Sequence, residues 1–183
     1  LLLLVGIVCA GLAWQVALAP YQKARITSFL DPYRDPQGAG YQMIQSMIAV
    51  GSGRIWGKGL GYGSQSHLHF LPEPHADFIF AAYAEEWGFV GTVILLGLLG
   101  VLLWRIIQIG LSAQDNFSRL YTLGFAALIF IQAFIHIGMN MGVLPITGIT
   151  LPFVSYGGSS LVTLMIGIGI VQNIKINARR EVE

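Results

Sequence analysis

The chain has 183 residues, of which 55% are hydrophobic and 10% charged, with a net charge of +1. A soluble domain is roughly a quarter charged, so this composition excludes an ordinary soluble fold and indicates a membrane protein. The small net charge argues against a nucleic-acid partner.

The first predicted element, LLLLVGIVCAGLAWQVALA over residues 1–19, is long enough to cross the hydrocarbon. It ends in Ala17-Leu18-Ala19, like a signal cleavage site, yet no basic segment or initiator Met precedes it and Pro20 would follow the cut. It reads as a true span, and the chain is expected to begin inside a longer protein. Cys9, the single cysteine, lies within it and allows no intrachain disulfide.

A long connection follows, residues 20–77. Eight glycines lie between Gly38 and Gly63, but Ile, Met, Trp and Tyr are interleaved with them, unlike a flexible tether. Ordered, short amphipathic helices at the membrane interface are expected here. Backbone amides and Lys58 in GKG could face a phosphate. However, Leu60 stands where a phosphate loop needs Ser or Thr, so turn-forming glycine is the plainer account. His67 and His69 alternate without further fixed ligands and read as surface residues.

The connection ends in FLPEPHADFIF, residues 70–80. Pro74 suits the first position of a helix, which makes Glu73 its cap and puts Asp77 one turn in, on the same face as Glu73. Acidic groups there complement the helix dipole. Asp77 is also followed at once by Phe78-Ile79-Phe80, at an apolar boundary where desolvation works against the dipole. Glu85 and Glu86 come deeper along the same helix, where a carboxylate needs the interface or a polar cavity.

The second span is expected over about 78–108, the third over 119–141 and the fourth over 151–175. In the third, Gln132, His136 and Asn140 recur every four residues and form one polar stripe, which reads first as interhelical hydrogen bonding. Between the third and fourth, PITGITLPFVSYGGSS (145–160) carries two prolines and a Gly-Gly pair. Irregular backbone at that depth requires protein or a water-filled cavity around it. Five basic residues flank the short 112–118 loop and the tail, and five lie in the long connection. Short loops weigh more in orientation, so the tail is expected in the cytoplasm and the 20–77 loop outside.

Three segments in order, FLDPYRDPQGAGYQMIQSMIAVGSG, GKGLGYGSQSHLHFLPEPHADFIFAAYAEEWGFVG and IGMNMGVLPITGITLPFVSYGGSS, resemble the signature segments of the SEDS family, which includes the RodA and FtsW proteins. The GKG and GSQS segments are more similar to RodA. The resemblance implies an all-α polytopic transmembrane bundle of about ten spans. Residues 1–183 would supply four of them, in one domain with a large outward loop containing short helices. It implies a glycosyltransferase of the bacterial plasma membrane that polymerises lipid II during cell-wall elongation. Its partners would be a class B penicillin-binding protein and the elongation or division machinery. A lipid II flippase or a scaffold for that transpeptidase is the alternative.

The family's essential aspartate falls on Asp77, as general base or as holder of a divalent cation, Mg or Mn. Glu73, His75, Lys58, Arg54, Ser155, Tyr156 and Ser159 are the expected substrate contacts, with Lys58 and Arg54 on the diphosphate. The chain departs from the family pattern at Ala76, Arg54 and His136, where Thr, Gly and Asn are usual. Without the earlier spans it is expected to be inactive alone.

Overall fold

The computed structural model describes residues 19–34, 38–63 and 76–180. Among them every regular element is helical: α1 (Pro20–Leu30), a 3-10 turn (Pro32–Arg34), α2 (Ala39–Ser52), α3 (Ile79–Ser112), α4 (Asn116–Asn140) and α5 (Gly158–Arg180). The expected first span and residues Glu73 and His75 lie outside the described residues.

In α1, Pro20 occupies the first turn and the Gln22 side chain accepts from Ala19 N–H at 2.9 Å, satisfying one donor that a helix start leaves open. Pro32 pushes Asp31 out of the helical region (φ −142°, ψ 83°) and ends the helix. α2 buries Gly40, Met43, Ser46 and Ala49, a narrow stripe with small residues at three of its four positions. It packs on the start of α3 through a cluster of Met43, Ala49, Phe78, Ala81 and Ile146. The described parts of the long connection are therefore helical on both sides of Pro32, as its interleaved apolar residues imply.

Helices α3, α4 and α5 are long and apolar enough to cross a membrane. They meet along Ile106, Ala126, Ile129, Leu164 and Val171. Their outward faces carry Val93, Ile94, Leu98, Phe130, Phe134 and Ile166, all exposed, as lipid or further spans require. Asp115 caps α4, its carboxylate accepting from Ser118 N–H at 2.8 Å. At the other end Gly142 turns left-handed (φ 74°), and Val143 and Gly142 return their N–H groups to Gly138 and Met139, a glycine-terminated Schellman motif. The approach to the last span differs from expectation: residues 151–157 are turns, and helix starts only at Gly158. Pro152 and a left-handed Phe153 (φ 64°) prevent an earlier start.

The helix α3 is broken at Gly88 (φ 66°, ψ −162°). A continuous helix would bond Phe89 N–H to Glu85 O and Val90 N–H to Glu86 O. Here those two donors go to Arg54 O (2.8 Å) and Ile55 O (3.1 Å), while the freed carbonyls accept from Lys58 N–H and Gly59 N–H, each at 3.0 Å. Two helical bonds are exchanged for four bonds to the 54–59 segment. The exchange needs glycine twice, because a Cβ on Gly88 would strike Gly57 N and one on Gly57 would strike Glu86 O. The 24 residues from Phe89 to Ser112 are about 36 Å long, enough to cross the roughly 30 Å hydrocarbon core without the first segment.

Candidate active site around Asp77

Asp77 lies in the turn 76–78, ahead of α3 and not one turn within it. The expected helix start at Pro74 lies outside the described residues. Phe78 is 2% exposed and anchors the turn in the core, and Asn140 of α4 supplies the capping. Its Oδ1 accepts from Ala81 N–H at 3.3 Å, the bond an N-cap side chain would make, and its Nδ2 donates to Asp77 O at 3.1 Å and His136 O at 2.8 Å. Ser46 of α2 donates to Asn140 O at 2.9 Å, so α2, α3 and α4 converge on one fully buried amide.

A second anchor comes from the 145–157 segment. Ser155 Oγ donates to Ala76 O at 3.0 Å and accepts from Leu151 N–H at 2.8 Å. Gly148 faces the acid itself: a Cβ there would lie 3.6 Å from Asp77 Oδ2. The backbone at positions 76 and 77 is thus held from two sides, while among the described residues the carboxylate has no hydrogen-bond or ion-pair partner. A fixed backbone under an uncommitted, half-buried carboxylate suits a group that must accept a proton or a cation.

Of the expected substrate contacts, the structure brings Ser155 and Tyr156 to this place. Both line a cavity of about 490 Å³ with Ile79, Phe153, Val154, Gly157, Gly158 and Leu161, and Tyr156 is 86% exposed at its rim. Ser159 lines a different cavity, with Gln132, Phe125 and Thr163. Arg54 and Lys58 sit at the Gly88 break. Lys58 Nζ lies 2.7 Å from Glu85 Oε1, and Glu85 is fully buried. Glu85 is eight residues along the chain from Asp77. The polar stripe on α4 behaves as expected at two positions, Asn140 and His136. His136 Nδ1 donates to Ile149 O at 2.7 Å, and its Nε2 and Gln132 Oε1 are buried acceptors without partners among the described residues. Such acceptors call for a water or a hydroxyl.

Arg25 is the residue that sequence reasoning passed over. Its guanidinium donates to Thr147 O at 3.1 Å, beside the Gly148 that faces Asp77. Its one signal in the sequence is membership of the five cations of the long connection. No group of three or more His, Cys, Asp or Glu side chains gathers to hold a metal among the described residues.

The family model described as cell cycle protein, covering FtsW, RodA and SpoVE, matches residues 1–180. The chain is 50% identical over 161 residues to peptidoglycan glycosyltransferase MrdB of Escherichia coli K12, covering 88% of this chain and 44% of that protein. It is 47% identical over 170 residues to stage V sporulation protein E of Bacillus subtilis, covering 93% and 46%. The chain therefore spans less than half the length of these relatives. A solved structure described as structural coordination of polymerization and crosslinking by a peptidoglycan synthase complex matches with a TM-score of 0.70 and 38% identity, over 96% of this chain and 49% of that one. Fold, motifs and relatives agree: the chain belongs to the FtsW, RodA and SpoVE family of membrane proteins, the SEDS family.

Proposed function

We propose that the full-length protein containing this chain is a peptidoglycan glycosyltransferase that polymerises lipid II at the outer surface of the bacterial plasma membrane. The observation that carries the reading is the uncommitted Asp77 carboxylate on a backbone fixed by Asn140 and Ser155, the latter also lining an open cavity. In the reaction, the 4-hydroxyl of the acceptor's GlcNAc attacks the anomeric carbon of the donor's MurNAc. The hydroxyl proton passes to Asp77, the new glycosidic bond forms, and the old carbon–oxygen bond breaks with its electron pair leaving on the lipid diphosphate. A base so placed contributes on the order of 10² to 10⁴ in rate. Arg25, at the Asp77 rim, supplies positive charge for the diphosphate. A divalent ion on Asp77 would supply charge neutralisation to the same leaving group.

In this reading the 20–77 loop faces outward, the tail lies in the cytoplasm, and a class B penicillin-binding protein crosslinks the glycan product. Assignment to elongation rests on the RodA-like GKG and GSQS segments. Full-length protein with Asp77→Asn, given lipid II, is expected to lose polymer formation by 10² or more while keeping its melting temperature. Undiminished polymer removes Asp77 from catalysis. Wild-type protein that moves lipid II across vesicles and makes no polymer replaces the reading with transport. The isolated 183-residue chain is expected to make none.

A further inference from the structure

A second cavity, about 660 Å³, opens between α3 and α5 at the end of the bundle away from Asp77. Its walls are one face of each helix: Leu102, Arg105, Ile106 and Ile109 on α3, and Ile168, Val171, Gln172 and Lys175 on α5, with Ser112 and Ala178 nearest the helix ends. The two helices run in the same direction, so the lining is graded along them. Leu102 and Ile168 are the lining positions farthest from the helix C-termini and both are apolar. The two cations and the amides of Gln108 and Gln172 follow towards the mouth. Among the described residues no carboxylate lines the cavity, and neither Arg105 nor Lys175 has a carboxylate partner. The Arg105 guanidinium lies over the Trp104 ring, 5.2 Å from its centroid, which places a tryptophan and an arginine together as at a membrane–water boundary.

We infer that this cavity is a binding site for an anionic phospholipid, whose phosphate sits between Arg105 and Lys175 and whose acyl chain follows Leu102, Ile106 and Ile168 into the bundle. Three features select this occupant. Two cations in one lining, with no acid beside them among the described residues, leave net positive charge that a phosphodiester neutralises. Gln108, Gln172 and Ser112 supply donors for the glycerol and ester oxygens. The apolar floor gives a chain a place that a soluble anion would leave empty. Basic pockets between membrane helices hold anionic head groups by this chemistry, and the volume is within the range of ligand sites. The inference does not depend on the activity proposed for Asp77. In the proposed orientation the site faces the cytoplasmic leaflet.

The test uses full-length protein in neutral detergent, with bound lipid counted by native mass spectrometry. Dioleoyl phosphatidylglycerol, dioleoyl phosphatidylcholine and inorganic phosphate are the probes. Phosphatidylglycerol is expected to be retained in preference to phosphatidylcholine, and millimolar phosphate is expected not to displace it. The Arg105→Gln/Lys175→Gln double variant is expected to bind about thirtyfold more weakly. Ile109→Trp, which fills the gap and keeps both charges, is expected to lose the lipid as well. Arg119→Gln, a cation near the same end that does not line the cavity, is expected to bind like wild type. Equal retention of both lipids, unchanged binding by the double variant or by Ile109→Trp, or an equal loss in Arg119→Gln overturns the inference. Displacement by inorganic phosphate overturns the lipid and leaves an anion site.

Discussion

Removing Lys58 tests the most concentrated electrostatic feature of the fold. Glu85 is fully buried and its Oε1 lies 2.7 Å from Lys58 Nζ, with Ser52 Oγ a weaker donor at 3.5 Å. Breaking a buried pair by deleting one partner costs about 3–5 kcal/mol, because the remaining charge stays desolvated. The Lys58 side chain is 31% exposed, so water reaches the pair and Lys58→Met should fall near about 3 kcal/mol. The two single variants should differ. In Glu85→Met the remaining lysine can swing its ammonium to water along its partly exposed stem, so this change should cost less than Lys58→Met. The double variant Lys58→Met/Glu85→Met removes both charges and should be more stable than Lys58→Met alone. Unfolding of the full-length protein in mixed micelles, followed by tryptophan fluorescence, gives the three values. If Lys58→Met unfolds like wild type, or Glu85→Met is the more damaging change, the pair does not hold the loop to α3 as the geometry requires.

Gly88→Ala forces a left-handed, nearly glycine-only conformation on a residue whose Cβ meets Gly57; it should cost at least about 3 kcal/mol in the same assay, and a smaller loss would argue against the exchange of hydrogen bonds. Asn140→Leu removes the side-chain partner of Asp77 O and of Ala81 N–H at once, while Ser46 keeps its bond to the backbone oxygen of residue 140. It should destabilise by about 1–3 kcal/mol for each buried group left unpaired and lower polymer formation more than the stability loss accounts for. At Asp115, the Ser118 backbone N–H, followed by the Ser118 hydroxyl, holds the carboxyl below its ordinary 3.8. A depressed pKa contributes stability above the unfolded value that is lost as pH falls through the folded one. Asp115→Asn should therefore melt below wild type at neutral pH and converge with it as pH drops below 3.8; a gap that persists in acid would show that the cap acts without its charge.

The apolar runs of the three described spans were legible because membrane helices announce themselves by length and composition. The irregular 145–157 segment was legible too, since prolines and paired glycines at that depth have few alternatives. Asp77 drew attention by its apolar neighbours, and the capping amide the structure describes is that of Asn140, while Glu73 lies outside the described residues. Asn140, 63 residues away in sequence, arrives buried and already oriented by Ser46. Lys58 was expected at a diphosphate and stands 2.7 Å from Glu85, a pairing across 27 positions that no periodicity encodes. Gly88 carried no signal at all. A single glycine in an apolar helix is ordinary, and only the arrival of residues 54–59 makes it a break.

The exchange at Gly88 reads almost no side chains. Its four bonds join backbone groups, so apart from Gly57, Gly59 and Gly88 and the Lys58–Glu85 pair, the residues at 54–59 and 85–90 can change without disturbing it. What it cannot change is count: adding or deleting one residue between Ile55 and Lys58 shifts the donors against the acceptors and uncouples all of them together. In variants of this chain the spacing across that short stretch should therefore be held constant where its identities drift, as a thread pitch is held constant while the metal differs.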